Sequence, residues 1–250
     1  INKKKPMNTL VIIPSRLSAT RLPGKPLLKI NGLSIISHVF KRAEEANIGE
    51  VIVAAEDSEI VDDVKQNGGQ AILTGKQHKT GTDRIFEALQ KIQKTNIDLV
   101  MNLQGDEPLI DINDIKNLNN LMIKNQSKLG TLASIIVDKK IYGDKNTVKV
   151  LTKEKLDNTN FPEATNFMRK VDGLSENIYH HLGVYCYQKE VLKTFVSCNQ
   201  SSNEIKNNLE QLRAIDNDIT INVALAKTSS IGIDTEEDLV AIKKIMEYKS

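Results

Sequence analysis

Tryptophan is absent and aromatic residues make up only 4% of the 250-residue chain. That is too few to build the stacking platforms on which single-stranded nucleic acid is bound. Positive charge exceeds negative charge by only two, so the chain as a whole carries no field that would draw it to nucleic acid or to an anionic membrane. Any basic function has to be local. Cys186 and Cys198 are too far apart for a CxxC redox or zinc motif, and two cysteines make no disulfide framework, so reduced thiols are expected.

Long apolar runs are missing as well. None approaches the roughly 18 residues of a membrane span, and the leading "INKKKPMN" has charge with no apolar stretch behind it, unlike a signal peptide. Residues 1–7 are expected to stand outside the fold, with Met7 a candidate initiator. These absences point to the cytoplasm and to neither membrane nor nucleic acid as partner.

What is present is an ordinary globular composition, 40% hydrophobic and 26% charged, and a length that fits one large domain over 1–250. "LVII" (10–13) reads as a buried strand. "SIISHVFKRAEEA" (34–46) places Ile35, Ile36, Val39, Phe40 and Ala43 on one helical stripe. The alternation continues: strand 50–55, a helix from Ser58 stopped by Gly68 and Gly69, strand 70–74, helix 83–94, strand 98–104, and a further helix starting near Asn113. Such alternation predicts a parallel sheet with helices on both faces. From about residue 128 the pattern turns mixed, with strands in "LGTLASIIV", "NTVKVLT", "HLGVYCY" and "ITINVALA" and helices in "NNLEQLRAI" and "TEEDLVAIKKIMEY". Residues 128–250 are therefore expected to extend the same sheet and to roof a pocket.

In open α/β sheets ligands sit at the carboxyl ends of strands, and three charged loops fall there. "PSRLSATRLPGKP" follows the first strand. Prolines stiffen it, glycine permits close approach, and Arg16, Arg21 and Lys25 can converge on a polyphosphate; a solvated basic turn is the alternative. It is neither a Walker loop nor a GxGxxG fingerprint. "NLQGDEP" (102–108) presents Asp106 and Glu107 after a strand. Carboxylates opposite a phosphate loop suit Mg²⁺, which takes one or two carboxylates and completes its shell with phosphate and water; a helix-capping acid is the alternative. "GIDTEEDL" (232–239) offers Asp234, which with Glu237 also forms a capping-box pattern. "TGTDR" (80–84) sets small polar residues at a helix start, where backbone N–H groups favour an anion. His181, Tyr185 and Tyr187 alternate along one strand, as pocket groups or as an amphipathic face. His180 and His181 have no further histidine at metal spacing, which argues against zinc.

Taken together, "IIPSRLSATRLPGKPL", "GGQAILT", "TGTDR", "NLQGDEP", "HLGVYCY", "LEQLR" and "IDTEEDL" resemble, in order and spacing, the 3-deoxy-manno-octulosonate (Kdo) cytidylyltransferases, from Leu10 to about Met246. The resemblance implies a Rossmann-like nucleotide-diphospho-sugar transferase fold, a mostly parallel mixed sheet, and a cytoplasmic homodimer that joins CTP to Kdo for lipopolysaccharide synthesis. It implies that Arg16, Arg21 and Lys25 hold the triphosphate, that Thr82, Arg84 and Gln104 line the nucleotide pocket, and that Asp106 and Asp234 bind Mg²⁺. It also implies that Arg169, His181, Tyr185, Glu210 and Gln211 face the sugar, with residues 128–250 supplying that side and the dimer contact. Arg16, Lys25, Asp106 and Asp234 are thereby the catalytic set. The chain departs from the family pattern at "ATNFMRKV" (164–171), where Arg169 is kept but the usual Tyr, Ser and Pro are not. This region, with Lys170, is expected to set which 2-keto sugar acid is used: Kdo, 8-amino-Kdo or a nonulosonic acid. A non-catalytic nucleotide-binding module is the reading from another class.

Overall fold

The computed structural model describes residues 6–18, 21–171, 176–229 and 231–247; residues 1–5 of the leading segment lie outside them. The chain divides into two compact units, the first made of residues 8–97, 101–112 and the segment after Ser229, the second centred on residues 113–229.

In the first unit, β1 (Thr9–Ser15) pairs in parallel with β4 (Gly49–Ala55), and β4 with β5 (Ala71–Leu73), Val11 standing opposite Val51 and Ile13 opposite Val53. Val11, Ile12 and Ile13 are all fully buried, which requires cover on both faces and explains why the strand reads as a continuous apolar run. A small hairpin of β2 (Lys29–Ile30) and β3 (Leu33–Ser34) follows β1. Its turn is Asn31-Gly32, at φ of 50° and 80°, the Asn-Gly pair that a tight hairpin selects.

Helix α1 (Ile35–Glu45) starts where the Ser34 hydroxyl accepts from the Ser37 amide, and it buries the predicted stripe. Helices α2 (Ser58–Gln66) and α3 (Gly81–Ile92) also match the predicted segments, α3 being capped by the Thr80 hydroxyl, which accepts from the Asp83 amide. The chain passes between the units within β6 (Leu99–Asn102).

The second unit is mixed, as its sequence pattern predicts. Here α4 (Ile112–Asn125) precedes β7 (Leu129–Ser134), and β7 lies between β11 (Ile221–Ala226), parallel to it, and β10 (Ile178–Gln188), antiparallel. Strand β8 (Lys149–Thr152) pairs with β10 and with β9 (Ala164–Met168). Two expectations are corrected here. Helix α5 (Lys189–Ser197) was not anticipated. The helix predicted through "NNLEQLRAI" is broken instead: α6 (Ser202–Asn207) ends at Asn208, at φ 51°, and α7 (Leu212–Asp216) begins afresh. Asparagine tolerates the left-handed conformation and so can stop a helix that periodicity alone would continue.

The last helix, α8 (Glu236–Glu247), returns to the first unit. Its Leu239 and Ile242 pack with Ile30, Ile35 and Ile233 in one buried cluster.

Candidate functional site

The first unit contains a cleft of about 360 Å³ at the end of β1, and Arg16, Arg21 and Lys25 line it together with Gln104, Asp106 and Asp234. Gly24, at φ 66°, admits the chain into a single 3-10 turn over Lys25–Leu27 with Pro26 buried in it. That turn aims the Lys25 ammonium between two carboxylates, 2.6 Å from Asp106 Oδ2 and 3.3 Å from Asp234 Oδ1. Arg21 Nη2 lies 3.0 Å from Asp234 Oδ2. Gly105 lets the Asp106 loop come in close, since a Cβ there would stand 3.0 Å from the Pro14 carbonyl oxygen. The alternative role for Asp106, capping the following helix, does not occur: its carboxylate goes to Lys25.

Asp234 is likewise not the capping residue. The box at the head of α8 is formed one position later. The Thr235 hydroxyl accepts from the Asp238 amide at 3.2 Å, and Asp238 Oδ2 accepts from the Asp234 and Thr235 amides at 3.0 and 2.9 Å. The Asp234 carboxylate is thereby left to the cleft. Its backbone is set by Ile233, fully buried in the cluster under α8, whose amide donates to the Asp106 carbonyl at 2.9 Å. Two sequence-distant acids are thus brought to one lysine by one buried isoleucine.

On the far wall of the cleft, Arg84 lines the cavity, yet its guanidinium is already committed. Nη2 reaches Glu56 Oε2 at 2.5 Å, and Nη1 reaches Thr74 Oγ1 at 2.6 Å and the Gly75 carbonyl at 3.0 Å. It acts as a brace for the 74–80 segment. Thr82 does not line the cleft: it is 5% exposed inside the first turn of α3, and Thr80 and Gly81 take the lining positions. The helical register, unreadable from "TGTDR" alone, decides which of these small residues faces outward. Glu87 on α3 holds the same segment from behind, accepting from the Gly75 amide and from Lys91 and pairing with His78. Burial works to raise the Glu87 carboxyl, but these partners outweigh it and bring its pKa down to about 2. His78 itself lines the cleft. Glu56, Asp57, His78 and Glu87 were not singled out from sequence. The strand-end rule that found the other loops, applied to β4, would have pointed to the acidic pair Glu56-Asp57.

The second unit holds the other five expected residues. His181 stands between Phe167, edge-on at 5.0 Å, and Tyr185 at 5.5 Å, and the row continues to Tyr187 and Phe195. Burial, helped by neighbouring His180, lowers the His181 pKa to about 3. Burial, with Tyr187 and Glu210 adding to it, raises the Tyr185 hydroxyl well above its ordinary value. Both are therefore neutral hydrogen-bonding groups. Thr131 Oγ1 lies 2.7 Å from the Val184 carbonyl and 3.0 Å from His181 Nε2. Its single proton goes to the carbonyl, so we assign the His181 proton to Nε2 and leave Nδ1 as the acceptor.

Arg169 donates to the backbone carbonyls of Lys145, Asn207 and Asn208 at 3.2, 3.2 and 2.9 Å. It thereby clamps the turn that leads into Glu210 and Gln211. The ammonium of Lys149, a fully buried residue, caps the Arg169, Asp144 and Thr147 carbonyls. The ion pair Arg213–Glu204, buried on both sides, joins α7 to α6, with the guanidinium 4.8 Å above the Phe195 ring. Among the described residues, no group of three or more His, Cys, Asp and Glu side chains is placed to hold a metal, and no helix is long and apolar enough to cross a membrane.

Compared with known proteins, the chain matches the Cytidylyltransferase family over residues 10–221. It is 40% identical to the 3-deoxy-manno-octulosonate cytidylyltransferase of Thermodesulfovibrio yellowstonii, covering 98% of this chain and 100% of that one. It is 39% identical to the enzyme of the same name from Afipia carboxidovorans, covering 96% and 97%. A solved CMP:2-keto-3-deoxy-manno-octonic acid synthetase complexed with CTP superposes with a TM-score of 0.88 at 32% identity, covering 97% of this chain and all of that one.

Proposed function

Because the chain belongs to the 3-deoxy-manno-octulosonate cytidylyltransferase family, we propose that it transfers CMP from CTP to the anomeric hydroxyl of Kdo, releasing pyrophosphate. The observation that carries this reading is the cluster at the end of β1, where Arg21, Lys25, Asp106 and Asp234 are paired around one cleft with Arg16 on its wall. Three cations on a stiff loop make a seat for a triphosphate. The sugar hydroxyl gives up its proton to solvent as its oxygen attacks the α-phosphorus, the bond to the β-phosphate breaks, and the pair of electrons leaves with pyrophosphate. Arg16, Arg21 and Lys25 hold the phosphoryl oxygens and stabilise the negative charge that grows on the leaving group, so positioning and electrostatics supply the rate. No side-chain nucleophile is needed.

Asp106 and Asp234 fit Mg²⁺. They are all-oxygen donors that already share one cation, Lys25, and a bound ion would complete its shell with phosphate and water. When bound, Mg²⁺ adds Lewis-acid neutralisation of the phosphates. In the second unit, His181 and Tyr185, both neutral, offer hydrogen bonds to sugar hydroxyls, while Arg169 clamps the Asn207 and Asn208 carbonyls just ahead of Glu210 and Gln211. Ile135 and Val137, 63% and 90% exposed just after β7, supply an apolar surface for the second copy of a homodimer. Reduced cysteines and the absence of a charge field suit a cytoplasmic enzyme of lipopolysaccharide synthesis.

The test is pyrophosphate release with Mg²⁺ and CTP, comparing Kdo, 8-amino-Kdo and N-acetylneuraminate, with UTP and ATP as nucleotide controls. Release with CTP and Kdo is expected. Release only with another sugar acid would keep the nucleotide assignments and make 164–171 the source of a changed specificity, and no release with any of them would refute the reading.

A further inference from the structure

The cleft's phosphate loop is fastened at its back by a residue that the chemistry above leaves unused. Strands β1 and β4 run in register to their last residues, Ser15 opposite Ala55, and one more rung follows, from the Glu56 amide to the Ser15 carbonyl at 3.1 Å. The next contact is made by a side chain. Asp57 Oδ2 accepts from the Leu17 amide at 2.8 Å. Asp57 occupies the N-cap position of α2, where an aspartate ordinarily accepts from its own helix, but here the side chain makes no cap hydrogen bond. Its carboxylate is spent instead on a loop forty residues away in sequence.

Leu17 lies between Arg16 and Ser18, both on the cleft wall, whereas Asp57 is not on that wall. Fixing the Leu17 amide fixes the peptide plane that follows Arg16, and with it the direction in which that exposed guanidinium leaves the backbone. We propose that Asp57 is a positioning residue of the triphosphate seat, acting through the Leu17 amide on Arg16. The proposal rests on the CTP reading above and adds to it a residue that never touches the nucleotide.

The test is calorimetric binding of CTP and of CMP, with Mg²⁺, to the full chain carrying Asp57→Ala and Asp57→Asn. Because the fastening acts on the loop assigned above to the leaving pyrophosphate, Asp57→Ala is expected to weaken CTP about tenfold, the scale of one lost hydrogen bond, while leaving CMP unchanged. Asp57→Asn keeps an acceptor oxygen and is expected to restore CTP binding. Asp57→Ser can cap α2 but is too short to reach Leu17, and it replaces the alanine variant should that one melt early. Equal weakening of CTP and CMP would make Asp57 merely structural, and an asparagine variant as poor as alanine would make its charge the cause. Either outcome, or unchanged CTP binding, overturns the proposal. A wild-type chain that binds no CTP would refute the nucleotide reading itself, and this proposal with it.

Discussion

Asp234 and Asp238 stand four residues apart at the head of α8 and should respond oppositely to mutation. Asp238 Oδ2 accepts from two backbone amides at 3.0 and 2.9 Å and is half-buried. Removing the carboxylate in Asp238→Ala leaves both donors without it and undoes the cap of a helix whose Leu239 and Ile242 are part of the core. A lost cap costs about 1 kcal/mol, and up to about 2 when the acceptor is charged. For a chain of this size that is a fall in Tm of about 2–8 °C.

Asp234 makes ion pairs instead, with Arg21 and Lys25, and its side chain is 46% exposed while that of Arg21 is 66% exposed. The exposed pair with Arg21 contributes about 0–1 kcal/mol, and Lys25, its side chain 16% exposed, keeps its 2.6 Å contact with Asp106, so Asp234→Asn should leave Tm nearly unchanged. It should however lower kcat by about a hundredfold or more, the scale seen when one preorganised charge is removed from a transition state. Scanning calorimetry and steady-state pyrophosphate release on the two variants decide the matter. If Asp234→Asn lowered Tm while Asp238→Ala did not, the cap would sit at Asp234 after all and the reasoning would fail.

If Lys25 holds the triphosphate as proposed, Lys25→Met should cut kcat/KM by about a hundredfold or more, because it removes one cation from the phosphates; a variant with a normal kcat/KM for CTP would take Lys25 out of the seat. His181 is held neutral with a pKa of about 3, against 6.5 for an ordinary histidine. Between those values the unfolded chain binds a proton that the native one does not, so stability falls as pH drops, by at most about 1.4 kcal/mol per pH unit. His181→Gln should flatten the plot of Tm against pH below 6.5 and above the 4.5 of an ordinary glutamate, and an unaltered slope would contradict the assignment. Glu204→Gln strands the buried Arg213 charge at a cost of about 3–5 kcal/mol. Since α6 and α7 flank Glu210 and Gln211, the KM for the sugar acid should rise before that for CTP, and an equal rise in both would count against separate roles.

What the sequence made legible was local. The stripe on α1 and the buried run of β1 depend on side chains close in the chain, and period alone reveals them. Ambiguity arose where two local patterns overlap. "DTEED" contains both Asp234-x-x-Glu237 and Thr235-x-x-Asp238, and the choice was made by Ile233, whose burial and amide bond to the Asp106 carbonyl turn Asp234 into the cleft. In "TGTDR" a rotation along α3 exchanges Thr82 for Thr80 and Gly81. At Asn208 a single left-handed residue divides a pattern that was helical by period.

Contacts that depend on distant partners had no local signature. Nothing beside Lys149 in the chain marks the three carbonyls it caps, and nothing beside Asp57 marks its bond to the Leu17 amide. Arg169 shows the same limit from the other side. Its identity was legible, but its three contacts are backbone carbonyls, which no residue type announces.

The central claim is that the first unit's cleft moves CMP directly from CTP to the sugar acid, by charge and positioning alone. Exchange of labelled pyrophosphate into CTP, measured with and without Kdo, tests it most directly. The account predicts exchange only when the sugar acid is present, since the reverse reaction needs CMP-Kdo. Exchange without any sugar acid would require a CMP-enzyme intermediate and would contradict it.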